Sequence, residues 1–99
     1  LERYPAEWQQ RDFDGHWGLF DEPFLRFAAT ELSKVPQPFF STVFTISTHQ
    51  PFRVPAALRD SLPAGTEEIH RSVRYVDQSL GRFFAVARQQ PWFENTLFV

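Results

Sequence analysis

The three histidines and a few acids carry most of the chemistry this sequence can offer. His49 follows Thr48 directly, at the end of the β-prone run 39–48, Phe-Phe-Ser-Thr-Val-Phe-Thr-Ile-Ser-Thr. In open α/β sheets ligands bind beyond the carboxyl ends of the strands. An imidazole there can donate to a phosphoryl or sulfuryl oxygen, or bind a metal, near neutral pH. A loop histidine bonded to neighbouring backbone would occupy the same position, and position alone leaves both readings open. His16, in Gly15-His16-Trp17-Gly18, reads as a surface histidine in a loop anchored by aromatic rings. His70 reads as solvated at the edge of a long helix. The three have no local spacing that would make a metal site.

Asp77 borders the apolar stripe of that helix, one turn before Gly81. A half-buried carboxylate needs a hydrogen-bond partner, so Asp77 reads as an anchor to a neighbouring loop in preference to a catalytic acid. Gly81 weakens the helix and is expected to admit another backbone at close range. Ser47, Thr48 and His49 are adjacent, but neighbours on a strand point to opposite faces. They make no nucleophile constellation, and no Gly-rich phosphate loop exists. The absence of cysteine excludes a disulfide framework, a thiolate nucleophile and a Cys-based zinc site. No residue is assigned a catalytic or metal-ligating role.

The elements that must position His49 follow from patterning. Residues 1–20 have no clean period, and Tyr4, Trp8, Phe13, Trp17 and Phe20 predict an irregular segment pinned by its rings. Asp21-Glu22-Pro23 opens a helix, with Asp as N-cap, an acid in the first turn and Pro where it is tolerated. Phe24, Leu25, Ala28, Leu32 and Val35 give its apolar stripe, and Pro36 and Pro38 stop it. In the strand predicted at 40–47, Phe40, Phe44 and Ile46 point one way and Phe39 and Val43 the other, as in an interior strand covered on both faces. Prolines and Gly65 make 49–65 an extended loop. Thr66 is expected to cap a helix over 67–89, whose stripe is Ile69, Val73, Val76, Leu80, Phe83, Phe84 and Ala87. Arg71, Arg74, Gln78 and Arg82 line its wet face. A final strand is predicted at 96–99. The expected fold class is therefore α/β: helix, strand, helix, strand, with one right-handed βαβ unit and parallel strands.

The chain has 99 residues, 42% of them hydrophobic and 22% charged, which suits one small globular domain. A formal net charge of -2 argues against a nucleic-acid partner, which requires a cationic surface. No apolar stretch approaches the roughly 18 residues of a membrane span. There is no methionine, and Thr96-Leu97-Phe98-Val99 stops without a turn signal. The chain is accordingly expected to be an internal piece of one larger domain. Two helices cannot cover both faces of a parallel sheet, so the piece alone is expected to self-associate.

Several motifs in order resemble sulfatase-like proteins of the alkaline phosphatase superfamily, and among them the lipoteichoic acid synthase-type phosphoglycerol transferases. Pro38-Phe39-Phe40, then Thr45-Ile46-Ser47-Thr48-His49-Gln50-Pro51-Phe52 with Pro55, is similar to the family's "PFF…T-x-S-x-H-x-PF…P" stretch. Trp17-Gly18-Leu19-Phe20-Asp21-Glu22 resembles the segment before it. Arg74 to Phe84, Arg-Tyr-Val-Asp-Gln-Ser-Leu-Gly-Arg-Phe-Phe, resembles the helix after it. Trp92 to Val99 resembles a strand that in the family runs into an Asp-His metal pair. The likeness spans about residue 13 to the end.

The resemblance implies a Thr, Ser or formylglycine nucleophile beside a divalent metal cation (Mn, Mg, Zn or Ca). A covalent intermediate on that nucleophile would pass to an acceptor or to water. The substrate would be an anionic phosphoglycerol lipid, or a phosphate or sulfate ester in a hydrolase of the same superfamily. The parent would be membrane-anchored with its catalytic domain outside the cytoplasm. A histidine matching His49 contacts the phosphoglycerol group, and that role alone carries over. The nucleophile and its metal ligands would precede residue 1 and the Asp-His pair would follow Val99, so this piece is expected to be inactive and to bind no metal itself. A non-catalytic α/β interaction domain is the competing expectation.

Overall fold

Helices carry the architecture. A computed structural model describes residues 3–99. Its elements in chain order are α1 (Ala6–Asp12), α2 (Asp21–Leu32) and α3 (Ile69–Ala87), with single 3-10 turns at Ala56–Leu58 and Phe93–Asn95. Helices α2 and α3 pack side by side and run in the same sense. The start of α2 meets the middle of α3, where the Glu22 N–H donates to the Tyr75 hydroxyl at 3.2 Å. Beyond the end of α2, the Ser33 hydroxyl donates to Gln90 at 2.6 Å. Parallel neighbours need a long return connection, which residues 33–68 supply.

The expected α/β fold is not what forms. Among the described residues there is no strand, and the β-bridge present is an isolated antiparallel pairing of Phe13 with Leu19. No backbone ladder joins 40–47 to 96–99, so the right-handed βαβ unit with parallel strands is corrected to three helices and irregular connections. The physical reason lies in coverage. A parallel sheet requires both faces buried, and two short strands are marginal. Here α2 and α3 offer one face only. The segment 39–46 keeps the alternation of a strand without its pairing. Phe39 and Val43 pack on the core, while Phe40 and Phe44 are 94% and 82% exposed. At the other end Phe98 sets its ring 5.1 Å from Phe84 and 5.5 Å from Phe93, leaving Leu97 and Val99 outside.

The core is small: Leu25 and Ala29 of α2 against Phe83, Ala87 and Trp92. Trp92 places its indole inside and donates Nε1–H to the Ser33 hydroxyl at 3.1 Å. Helix α3 does not bury its whole apolar stripe. Its buried residues are Ser72, Tyr75, Ser79, Phe83 and Ala87, whereas Val73 and Leu80 are 48% and 39% exposed. Small residues at the α2 contact allow close approach. The two serines donate to their own helix, Ser72 to the Ile69 carbonyl at 2.8 Å and Ser79 to the Tyr75 carbonyl at 2.7 Å. They are therefore buried with their polar atoms satisfied.

Helix α1 stands where the sequence suggested irregular chain. Pro5 precedes it, Glu7 lies in its first turn and Arg11 in its last, all favourable to a short helix. Tyr4 fixes it: the buried hydroxyl donates to Asp12 at 2.6 Å, and the ring meets Phe27 at 4.7 Å. Helix α2 ends at Leu32, and three i to i−3 bonds carry the turn on to Val35.

Candidate functional site

His49 sits between two loops that buried carboxylates hold in place. The first is 13–19. Asp14 Oδ1 accepts three backbone N–H groups, from His16 at 2.7 Å, Trp17 at 2.9 Å and Gly18 at 3.1 Å. Gly15, at φ 87°, supplies the left-handed residue this turn needs. Burial works against the Asp14 charge, but the three N–H donors hold its pKa below the usual carboxylate value. The result is a rigid turn that presents Trp17 to solvent.

The second joint is Asp21. Expected as the N-cap of α2, it is instead the first residue of the helix, and the N-cap residue, Phe20, makes no side-chain cap bond. Its carboxylate turns to the returning chain, accepting the Ile46 N–H at 2.7 Å and the Ser47 N–H at 3.1 Å. The Asp21 N–H donates to the Ser47 hydroxyl at 3.3 Å. Asp21 and Ser47 are 1% and 2% exposed, so this clasp is dry. It fixes the residues just before His49 onto the start of α2. Beneath it, buried Tyr75 accepts the Glu22 N–H and sets its ring edge-on to Phe20 at 6.2 Å. Arg82 pairs with the Glu22 carboxylate.

The chain then turns. The His49 N–H donates to the Ile46 carbonyl at 2.9 Å and the Phe52 N–H to the His49 carbonyl at 2.8 Å. Phe52 takes φ 59°, a left-handed conformation unusual for a bulky residue. The His49 ring is exposed. Its Nδ1 lies 2.9 Å from the Gln50 carbonyl, which can only accept, so Nδ1 carries the hydrogen. Nε2 has no partner among the described residues. Trp17 closes the arrangement: its ring lies 4.7 Å from the imidazole, tilted by 58°, and its Nε1–H donates to the same Gln50 carbonyl at 2.8 Å. The backbone bond of an ordinary loop histidine is thus present on one ring nitrogen, and the other faces outward.

Other candidates are placed differently. His16 is exposed beside the Asp14 turn, as its loop position suggested. His70 is exposed but not idle. Its Nδ1 accepts the Thr66 N–H at 3.1 Å and the Glu67 N–H at 3.2 Å, so the imidazole closes the turn just before α3; the cap expected of Thr66 does not form, and the N-cap residue is Glu68, without a side-chain cap bond. Gly65, at φ 68°, lies so close that a Cβ there would collide with the His70 ring. Asp77 is exposed with no hydrogen-bond partner among the described residues, because the stripe it borders is itself uncovered. It anchors no loop. A Cβ on Gly81 would meet nothing within 4 Å, so no backbone packs there. Sequence reasoning passed over Trp17, Asp21 and Tyr75 as site residues. The Asp-Glu-Pro start was read as capping because the true partner of Asp21 lies 25 residues on.

Past His49 the chain borders a cavity of about 720 Å³. Phe52, Arg53, Arg59 and Arg71 line it, with Glu67 and Glu68 among them. Among the described residues no group of three or more His, Asp or Glu side chains can hold a metal ion. No helix among the described residues is long and apolar enough to cross a membrane.

The family model named Sulfatase matches residues 2–99. Among curated proteins of Bacillus subtilis (strain 168), the lipoteichoic acid synthase-like protein YvgJ is 33% identical over 88 residues, covering 84% of this chain. Lipoteichoic acid synthase 2 is 28% identical over 115 residues, covering 99%, and lipoteichoic acid synthase 1 is 25% identical over 87 residues, covering 83%. The chain spans 14%, 18% and 14% of the lengths of these three relatives. No solved structure matches it significantly. With nearly its whole length matched, the chain belongs to the sulfatase family.

Proposed function

We propose that this chain supplies one wall of the anionic-substrate pocket in a larger phosphoglycerol transferase of the lipoteichoic acid synthase type. The observation carrying this is the His49 ring: held through Nδ1, exposed, and with Nε2 free to donate to a phosphoryl oxygen when the ring is protonated or to accept from a glycerol hydroxyl when it is not. The names of the relatives support the substrate class. The reading includes a membrane-anchored parent with its catalytic part outside the cytoplasm, and a divalent cation held by parts of that protein other than this chain. An ester hydrolase of the same family would use the same contact on a phosphate or sulfate ester.

In the full-length protein, His49→Ala should lower kcat/KM for an anionic phosphoglycerol lipid about 10- to 100-fold, the equivalent of one hydrogen bond to a charged group. Unchanged turnover would remove His49 from the pocket. Free glycerol phosphate among the products, with none on an acceptor, would favour the hydrolase. Purified alone, the 99-residue chain should turn over no chromogenic phosphate or sulfate ester, with or without added divalent metal. It should also pair with a second copy through the open Phe40, Phe44, Val73 and Leu80 surface. Sedimentation as a stable monomer at micromolar concentration would refute that pairing.

A further inference from the structure

We infer that Trp17 is the positioning residue of His49, setting which ring nitrogen faces the ligand. The inference rests on the substrate-pocket reading above for its purpose, but its geometry is independent of it. One acceptor, the Gln50 carbonyl oxygen, receives two side-chain donors: Trp17 Nε1–H at 2.8 Å and His49 Nδ1–H at 2.9 Å. The two rings lie 4.7 Å apart. Trp17 is 61% exposed, so burial of its own surface does not explain where it stands. What holds it there is the Asp14 turn behind it and the carbonyl in front.

A carbonyl fixed by the indole is a fixed target for the imidazole. It selects the Nδ1–H tautomer and leaves Nε2 as the outward atom. Without the indole the peptide of Gln50 is free to tilt, and the imidazole loses both its ring neighbour and its reason to keep the proton on Nδ1. The ring plane and tautomer would then vary, and a ligand oxygen would meet the correct nitrogen only part of the time. Such loss of orientation lowers turnover even when every contacting group remains.

Long-range proton–nitrogen NMR of His49, above the pH at which the imidazole is neutral, reads the tautomer directly. The wild-type chain should show hydrogen on Nδ1. Trp17→Phe keeps a ring but lacks the donor, and Trp17→Ala lacks both; each should shift hydrogen toward Nε2 while circular dichroism stays unchanged. In the full-length protein Trp17→Phe should lower kcat/KM for the phosphoglycerol lipid about tenfold, mostly through kcat, with no further loss when combined with His49→Ala. An unchanged tautomer in both variants overturns the inference, as does full additivity of the two substitutions. If His49→Ala leaves turnover intact, the pocket reading falls, and the positioning of His49 by Trp17 stands or falls on the tautomer alone.

Discussion

Replacing Asp21 by Asn tests the joint on which the placement of His49 depends. The carboxylate offers one oxygen to Ile46 N–H and the other to Ser47 N–H. An amide of the same shape keeps one acceptor and turns an NH₂ toward the second N–H. One backbone donor of the returning chain is then buried without a partner. A hydrogen bond to a charged group contributes about 1.5–3 kcal/mol, and an unpaired buried donor costs about 1–3 kcal/mol. The two figures overlap in part, so the expected loss is about 2–4 kcal/mol. Hydrogen exchange followed by NMR reads this at the residues concerned. The Ile46 and Ser47 amides should exchange about 30- to 1000-fold faster in Asp21→Asn, at one factor of ten per roughly 1.4 kcal/mol. Ser47→Ala removes only the hydroxyl that accepts the Asp21 N–H and should cost about 1 kcal/mol. Equal exchange rates at both amides, with an unchanged urea midpoint, would show that the clasp holds nothing.

Burial holds the Tyr75 hydroxyl neutral, and the nearby Glu22 and Asp21 charges add to this, pushing its pKa from 10.0 up to about 12. A raised value favours the neutral form in the folded chain. Stability from this source is complete below pH 10 and falls between about 10 and 12, by about 3 kcal/mol at one pKa unit per 1.36 kcal/mol; alkaline denaturation of Tyr75→Phe should lack that component. Asp14 works in the opposite direction. Its pKa lies below 3.8, so its contribution is present above that value and lost as pH falls through the lower folded value. Acid titration of Asp14→Ala should show a flatter decline than wild type. Gly81→Ala meets open space in the middle of α3 and should raise stability by about 0.5–1 kcal/mol, measured by thermal or urea unfolding; a loss would mean a neighbour packs there after all.

Helices α2 and α3 were legible because period and punctuation agreed: prolines after Val35 and after Gln90, and acids at the first turn of α2. The alternation of 39–46 was legible too, since Phe39 and Val43 do turn inward. Pairing was not, because a β-prone run states which residues want to be covered and not whether a partner strand is at hand. His49 could be picked out by its place after that run. Trp17 could not, since its link to His49 passes through a single backbone carbonyl 33 residues away. Helix α1 is masked in the sequence by its aromatic residues: Tyr4 and Trp8 break any apolar period, and the helix-favouring order Pro5, Glu7, Arg11 is too short to stand out.

Helix α3 shows why a strong period fixes an element and leaves its orientation open. At about 100° per residue, Val73, Leu80 and Phe84 share a side that lies roughly a third of a turn from the side made by Ser72, Tyr75 and Ser79. The chain buries the second side, with Tyr75 meeting the start of α2, although that side is the more polar. Two features make this favourable. The serine hydroxyls are satisfied by carbonyls of their own helix before any neighbour arrives, so their burial leaves no polar group unpaired. Tyr75 brings a hydroxyl that the otherwise unpaired Glu22 N–H at the start of α2 requires. Burying Val73 and Leu80 against α2 instead would gain apolar area but leave that N–H, and the Asp21 clasp beside it, without support. The orientation of α3 and the placement of His49 therefore have one cause: both follow from pairing polar groups at the N-terminus of α2.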